Sequence, residues 1–342
     1  MSLKLTKHFI ELLKANPGRE FTAQEIAQRV LESFPEACAE KKAASKDGYL
    51  NSDEKLLAQL RTEINSIYAY QSKKVPGLKR KEGPPKRYYY SDSTDSEEIS
   101  ETERLEAEST ESIDSADLND LTDQPCACVE SDGGAKNDKK SKKKLLERDL
   151  YPLLSHFALD DFRVNSMRID EKCSSNKRGP NGNRWLYPDV VGMEDLSVDW
   201  HREVSDCVAR YFDKKTKLWS FEVKLLINRS NVRECFFQAV SNSSWANLGY
   251  LVAAEVGGSD TLKELRLLSA AHGIGFIKLN AQNVEESQVL IPARERPDVD
   301  WDMVNRLAVE NSDFMNYVKL VKNFYLTGET RSLSWGIQAQ KE

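Results

Sequence analysis

Leu218-Trp219-Ser220-Phe221-Glu222-Val223-Lys224-Leu225-Leu226-Ile227 is the stretch that decides how this 342-residue chain is read. It has the apolar character of a buried strand, broken by one acid and one base two residues apart. Side chains alternate along a strand, so Glu222 and Lys224 share a side and Val223 points the other way. Burying a carboxylate and an ammonium without partners would be costly. Thirty-three residues upstream lies a second acid, Asp189. It follows Pro188, between Trp185-Leu186-Tyr187 and Val190-Val191-Gly192-Met193, a segment that also reads as a buried strand.

Working outward, residues 142–342 alternate between the two periods. A helix is expected over about 142–157, with Leu146, Leu150, Leu153 and Leu154 facing inward. Strands are expected at 162–169, 185–193, 218–227, 249–254 and 275–279, with helices at 231–241 and 261–271. The connection at 194–217 is long and holds a helix around 200–212, and 303–325 reads as largely helical. A helix, three strands, a helix and a further strand make an α/β domain, a mixed sheet flanked by helices.

Residues 1–90 carry a different pattern. Leu5, Phe9, Leu12 and Leu13 form one helical face, and Ile26, Ala27 and Val30 another. Thr22 precedes Ala23-Gln24-Glu25, the capping box of a helix start. A longer helix is expected from Ser52 or Asp53 to about Tyr70, with Leu56, Leu57, Leu60, Ile64 and Ile67 inward. Two short basic strands follow, around a Gly/Pro turn. They carry Lys73, Lys74, Lys79, Arg80, Lys81, Lys86 and Arg87, the candidate nucleic-acid contacts. Three helices and a basic hairpin form the winged-helix layout. Phe21–Ala27 resembles the second helix of helix-turn-helix (HTH) modules and is most similar to the HARE-type winged helix, associated with DNA-modifying and chromatin-linked proteins. Residues 36–52 lengthen the turn before the long helix. A solvated basic face on a protein-binding module is the alternative.

The net charge of −6 conceals a strong asymmetry. Between Ser91 and Asp132 stand fifteen Asp/Glu and only Arg104 on the basic side. Residues 1–90 hold seventeen Lys/Arg against eleven Asp/Glu, which suits a polyanionic partner. Residues 91–141, acidic and then lysine-rich, are expected to be a disordered linker, since they offer too little apolar surface to offset ordering. No apolar stretch reaches the roughly 20 residues of a membrane helix, and no signal peptide is read at the start. The six cysteines are scattered, and Cys126 and Cys128 lack a matching Cys/His pair, so zinc is not expected. Reduced thiols in a cytoplasmic protein follow. His8, His156, His201 and His272 are isolated and read as structural or surface residues.

Asp189, Glu222 and Lys224 on neighbouring strands would provide a hard-metal site with a cation beside it, which is the chemistry of phosphodiester cleavage. In this the chain resembles the PD-(D/E)xK nuclease superfamily, the restriction-endonuclease-like fold, over about residues 142–280. Pro188-Asp189 matches the PD, and Glu222-Val223-Lys224 the (D/E)xK. The resemblance implies Mg²⁺ or Mn²⁺ on Asp189, Glu222 and the Val223 carbonyl. It also implies roles for Glu147 on the preceding helix and for Gln238 on the helix after the lysine strand. Asn228, Arg229, Ser230 and Arg233 either touch phosphate or cap the next helix. Lys172, Lys177, Arg178 and Arg184 are further candidate DNA contacts.

The expected organisation is therefore a winged-helix domain at 1–90, a linker at 91–141 and a nuclease-like domain at 142–342 with a helical C-terminal extension. The expected function is Mg²⁺-dependent DNA endonuclease activity on double-stranded DNA, linked to restriction or genome defence, with a homodimer left open. The alternative is a catalytically inactive nuclease-fold protein that binds DNA or regulates.

Overall fold

The computed structural model describes residues 3–44, 50, 52–114, 145–176, 182–210, 215–328, 330 and 335. The chain begins with α1 (Leu5–Lys14), β1 (Phe21–Thr22), α2 (Ala23–Ser33), α3 (Pro35–Ala43), α4 (Asp53–Gln71), β2 (Leu78–Glu82) and β3 (Arg87–Tyr90). The Thr22 hydroxyl accepts from the Glu25 N–H at 3.1 Å, and the Thr22 N–H donates to the Glu25 carboxylate at 2.7 Å. This reciprocal cap is the one read from the sequence, and such a cap is worth about 1 kcal/mol. Ser52 caps α4 one way only, its hydroxyl accepting from the Lys55 N–H at 3.3 Å. Residues expected as an extended turn before α4 instead include α3, which starts on Pro35, a residue favoured in the first helical turn because its missing N–H costs nothing there. Phe9, Leu13, Ile26, Leu56, Leu60 and Ile64 form the core of this part, closed over by Tyr88 of β3.

Then come α5 (Asp95–Asp114), α6 (Glu147–Phe162), β4 (Val164–Arg168), β5 (Val190–Asp195), α7 (Arg202–Arg210) and β6 (Thr216–Ile227). The chain continues with α8 (Val232–Asn242), β7 (Leu248–Gly257), α9 (Ser259–His272), β8 (Gly275–Lys278), β9 (Gln288–Ile291), α10 (Trp301–Glu310) and α11 (Ser312–Thr327). The expected α/β class with a mixed sheet is what the chain forms. β4, β5 and β6 are antiparallel, whereas β6, β7 and β8 run parallel. Two differences stand out. The segment 185–189 is not strand: Trp185 is exposed in a turn, and β5 starts only at Val190. The acidic segment expected to be disordered contains α5, whose partners lie far away in sequence. The rest of that linker, 115–141, lies outside the described residues.

One sheet of nine strands runs through both parts, in the order β1-β3-β2-β7-β6-β5-β4, with β8 on β7 and β9 on β8. β7 makes the join. Its residues Tyr250–Ala253 pair with β8, and farther along it Val256 and Gly257 pair with Glu82 and Lys81 of β2. Lys81 also reaches Glu20 at 2.7 Å and is paired with Glu255 of β7.

Alternation on β6 sorts its side chains as expected. Trp219, Phe221 and Val223 pack in the core beneath α6, with Leu150, Leu154 and Phe157. Ser220 and Glu222 face α8 instead, through hydrogen bonds to Asn242. The C-terminal helices α10 and α11 cover the far end of the sheet through Leu307, Phe314 and Tyr317, packed on Trp245 and Met193.

Candidate active site

The site exists because β5 and β6 part company. Their register ends at Val190 opposite Phe221, but β6 continues to Ile227. Past that point β6 has no β5 partner, and the turn carrying Asp189 takes over. The Val223 N–H donates to Asp189 Oδ2 at 2.7 Å, and the Asp189 carbonyl accepts from the Ile169 N–H at 2.9 Å. A carboxylate thus stands where a ladder carbonyl would have been. In a strand the N–H and C=O of one residue face the same neighbour, so the Val223 carbonyl opens on the edge that Asp189 occupies.

Lys224 Nζ lies 2.7 Å from Glu222 Oε1 and 3.9 Å from Asp189 Oδ2. Glu222 is 1% exposed and sits beneath Lys224, its other oxygen accepting from Asn242 Nδ2 at 2.9 Å. One Glu222 oxygen thus meets Lys224 and the other Asn242. Glu147 begins α6 on the opposite wall and accepts from the Tyr151 hydroxyl at 3.2 Å. The cleft measures about 540 Å³, and Glu147, Asp189, Lys224 and Gln238 all line it. Residues from three separate elements and one turn are brought together here.

Three carboxyls around one ammonium leave the site short of positive charge. Burial raises the Glu222 carboxyl to about 8, with the Asp189 charge adding to the effect and Lys224 opposing it. Burial likewise raises Glu147 to about 8, Lys224 pulling it down and Asp189 and Glu106 pushing it up. The position of Glu147 in the first helical turn favours its anion, so this rise happens despite the helix dipole. Burial disfavours the Lys224 ammonium, but Glu147, Glu222 and Asp189 outweigh it and hold Lys224 well above the ordinary lysine range. These directions are consistent if one ionised carboxylate matches the ammonium and the surplus carboxyls carry protons.

Gln238 is buried on α8; its Nε2 donates to the Arg184 carbonyl at 3.1 Å, and its Oε1 is buried without a hydrogen-bond partner. Asn242, one turn further along α8, is a residue that sequence reasoning missed. Its Nδ2 bonds the carbonyls of Arg184 and Tyr187 as well as Glu222, tying the turn before Asp189 to the acid on β6. A polar residue four positions after Gln238 on the same helix face was the available signal. Arg184 also lines the cleft and pairs with Glu234 at 3.1 Å. Of the turn after β6, Asn228 and Asn231 are used in shaping the chain: Asn228 Oδ1 accepts from Ser230, and Asn231 Oδ1 from the Asn228 N–H. Arg233 pairs with Glu264 at 2.7 Å. Lys177 and Arg178 lie outside the described residues.

The basic set of the first ninety residues divides. Lys73, Lys74 and Lys86 are exposed, and Arg87 is partly so, beside Glu20. Arg80 is a correction: it is buried, paired with Glu82 and stacked on Tyr68 at 4.6 Å, so it braces the hairpin from within. Lys81 is committed to Glu20 and Glu255, and Lys79 to Asp95 and Glu98. Strand alternation points every second cation of β2 inward, which a count of charges does not show.

Among the described residues no group of three or more His, Cys, Asp or Glu is arranged to hold a metal ion, and no helix is long and apolar enough to cross a membrane. The donors at Asp189 and Glu222 nevertheless fit a hard cation in kind. Mg²⁺ takes one or two carboxylates and keeps several waters. Glu147, Asp189 and Glu222 gather around the single Lys224 ammonium, more carboxyls than one cation matches. Comparisons with protein-family models, with curated proteins and with solved structures find no match to this chain.

Proposed function

We propose that the chain is a Mg²⁺- or Mn²⁺-dependent nuclease that cleaves double-stranded DNA, guided by its basic N-terminal part in the manner of a winged helix, in restriction or genome defence. One observation carries this reading. Asp189, Glu222 and Lys224, drawn from a turn and a strand 33 residues apart, converge where β6 outruns β5. A sheet that needed only stability would be served as well by apolar groups there, because the cost of desolvating a buried ion pair commonly matches or exceeds the attraction between its charges.

In this reading Asp189 and Glu222 would hold the ion, with the Val223 carbonyl on the same edge. A bound divalent ion would ease deprotonation of water and offset charge on a phosphoryl group. The protein's own parts then have defined tasks. The Val223 N–H orients the Asp189 carboxylate, and Asn242 orients Glu222. Lys224, charged throughout the physiological range, stabilises negative charge developing on phosphate oxygens. Glu147, raised toward neutrality, is placed to accept or return a proton at the cleft wall.

Cleavage of plasmid DNA in Mg²⁺ or Mn²⁺ by the unaltered protein, Asp189→Ala and Lys224→Ala tests the assignment. Loss of cleavage in both variants is expected; equal cleavage by all three sinks it. Calorimetric Mn²⁺ binding that depends on Asp189 and Glu222 separates this reading from that of an inactive DNA-binding relative of the nuclease fold, for which no such uptake is expected.

A further inference from the structure

The edge of β6 that β5 leaves open is covered by α5. Ile99, Thr102, Glu103 and Glu106 of this helix form one wall of the cleft that holds Glu147, Asp189 and Lys224. Burial raises the Glu106 carboxyl, while the Lys224 charge and the backbone of Glu147 at the start of α6 favour its ionised form. Helix N-termini and lysines are the groups that bind phosphate in proteins generally.

The other end of α5 is held by a second set of such groups. Lys79 Nζ contacts Glu98 Oε1 at 2.8 Å and Asp95 Oδ1 at 3.2 Å, and Asn228 Nδ2 donates to the Asp95 carbonyl at 2.9 Å. Asp95 and Glu98 project into a second cleft of about 570 Å³, whose walls include Lys73, Lys79, Arg229 and Lys263. The helix thus lies along a path that starts among lysines and arginines of both halves of the chain and ends at Lys224.

Composition shows why such a helix can leave. From Asp95 to Ala107 it carries six acids against Arg104, and only Ile99, Leu105 and Ala107 are apolar. Little hydrophobic burial opposes its release, and its hold is mainly ionic, so a stronger polyanion competes directly.

We propose that the groove beneath α5 is the channel for the DNA backbone, and that α5 is its resident acidic occupant, which the duplex displaces to reach Lys224. This rests on the nuclease reading for the choice of DNA, but its test is separate. A short labelled duplex is titrated against full-length protein carrying Asp189→Ala, which stops turnover, with and without Glu98→Gln, Glu103→Gln and Glu106→Gln. If α5 covers the groove in about nine molecules of ten, the added substitutions tighten binding about tenfold. In the Asp189→Ala protein, amide exchange across 95–107 should also accelerate on adding duplex. Unchanged affinity with unaltered exchange overturns the proposal. Weaker binding by the Gln variant overturns it as well, because Glu106 would then belong to the site rather than block it. The two readings fail separately. Tighter binding with faster exchange, but no cleavage by the chain that retains Asp189, leaves the channel standing and removes the nuclease. Cleavage by that chain with affinity and exchange unmoved does the reverse.

Discussion

The Val223 N–H donates to Asp189 Oδ2 at 2.7 Å, joining residues 34 positions apart at the point where the sheet splits. Asparagine offers the same acceptor without the charge. Asp189→Asn is therefore expected to keep this bond and the fold, while lifting the repulsion that helps raise Glu147 and Glu222. Both carboxyls should titrate lower than in the unaltered protein when followed by carbon NMR. Asp189→Ala should be less stable than Asp189→Asn by about 1 kcal/mol, the usual net worth of one hydrogen bond.

Glu147 and Glu222, raised to about 8 from an ordinary 4.5, hold protons more tightly folded than unfolded. Their contribution to stability is complete below pH 4.5 and is lost as pH climbs through 8. Urea unfolding without divalent ions should show stability falling between pH 5 and pH 8.5, and millimolar Mn²⁺ should flatten that fall. A slope indifferent to Mn²⁺ would count against a cation site at these acids.

Lys224 is the cation over Glu222. Lys224→Met should destabilise the chain by about 3 kcal/mol at pH 8.5, the cost of stranding a buried charge. At pH 5.5, where Glu222 is protonated, the same substitution should cost much less. Equal losses at the two pH values would show that packing, not charge, is what Lys224 provides.

Asn242 serves Glu222 and two carbonyls of the turn before Asp189. Asn242→Ala should cost about 1–3 kcal/mol by leaving buried acceptors unpaired. Asn242→Asp should be worse above pH 8, where Glu222 is ionised and a second carboxylate is set against it. Asp fills the same space as Asn, so denaturant unfolding of Asn242→Asp against the unaltered protein reads charge and hydrogen bonding rather than packing.

Gly192 lies in β5 behind the site, and a Cβ there would sit 2.4 Å from Val164 Cγ1. Its carbonyl accepts from the Tyr317 hydroxyl at 2.9 Å, so α11 also presses on this position. Gly192→Ala should cost about 1–3 kcal/mol through overpacking, read as a lowered unfolding midpoint.

Local pattern makes several of these elements legible in the order of residues alone. The Thr22–Glu25 cap depends on residues three apart, and the shared side of Glu222 and Lys224 on a period of two. The inward faces of α4 and α6 are likewise visible as Leu56, Leu60 and Ile64 and as Leu150 and Leu154. The apolar run before Asp189 is misleading because Trp185 and Leu186 look like strand residues. A fold in which the strand starts later leaves them in a turn, where Leu186 is buried by tertiary packing alone.

The sequence by itself determined the helices at α1, α2, α4, α6, α8 and α9, the strands β4, β6, β7 and β8, the side on which Glu222 and Lys224 stand, and the division into a basic start, an acidic middle and an apolar sheet. Those features depend on neighbours within a few positions, where backbone geometry fixes direction. Only the tertiary structure decided that Asp189 would cap the open edge of β6, that Asn242 would hold Glu222, that β2 would extend the sheet along β7, and that α5 would settle over the cleft. Each of these joins groups distant in the chain, and α5 shows the reason most plainly. Its composition cannot offset the entropy of ordering, and what fixes its place is charge supplied by Lys79 and by the start of α6, neither of which is its neighbour in sequence.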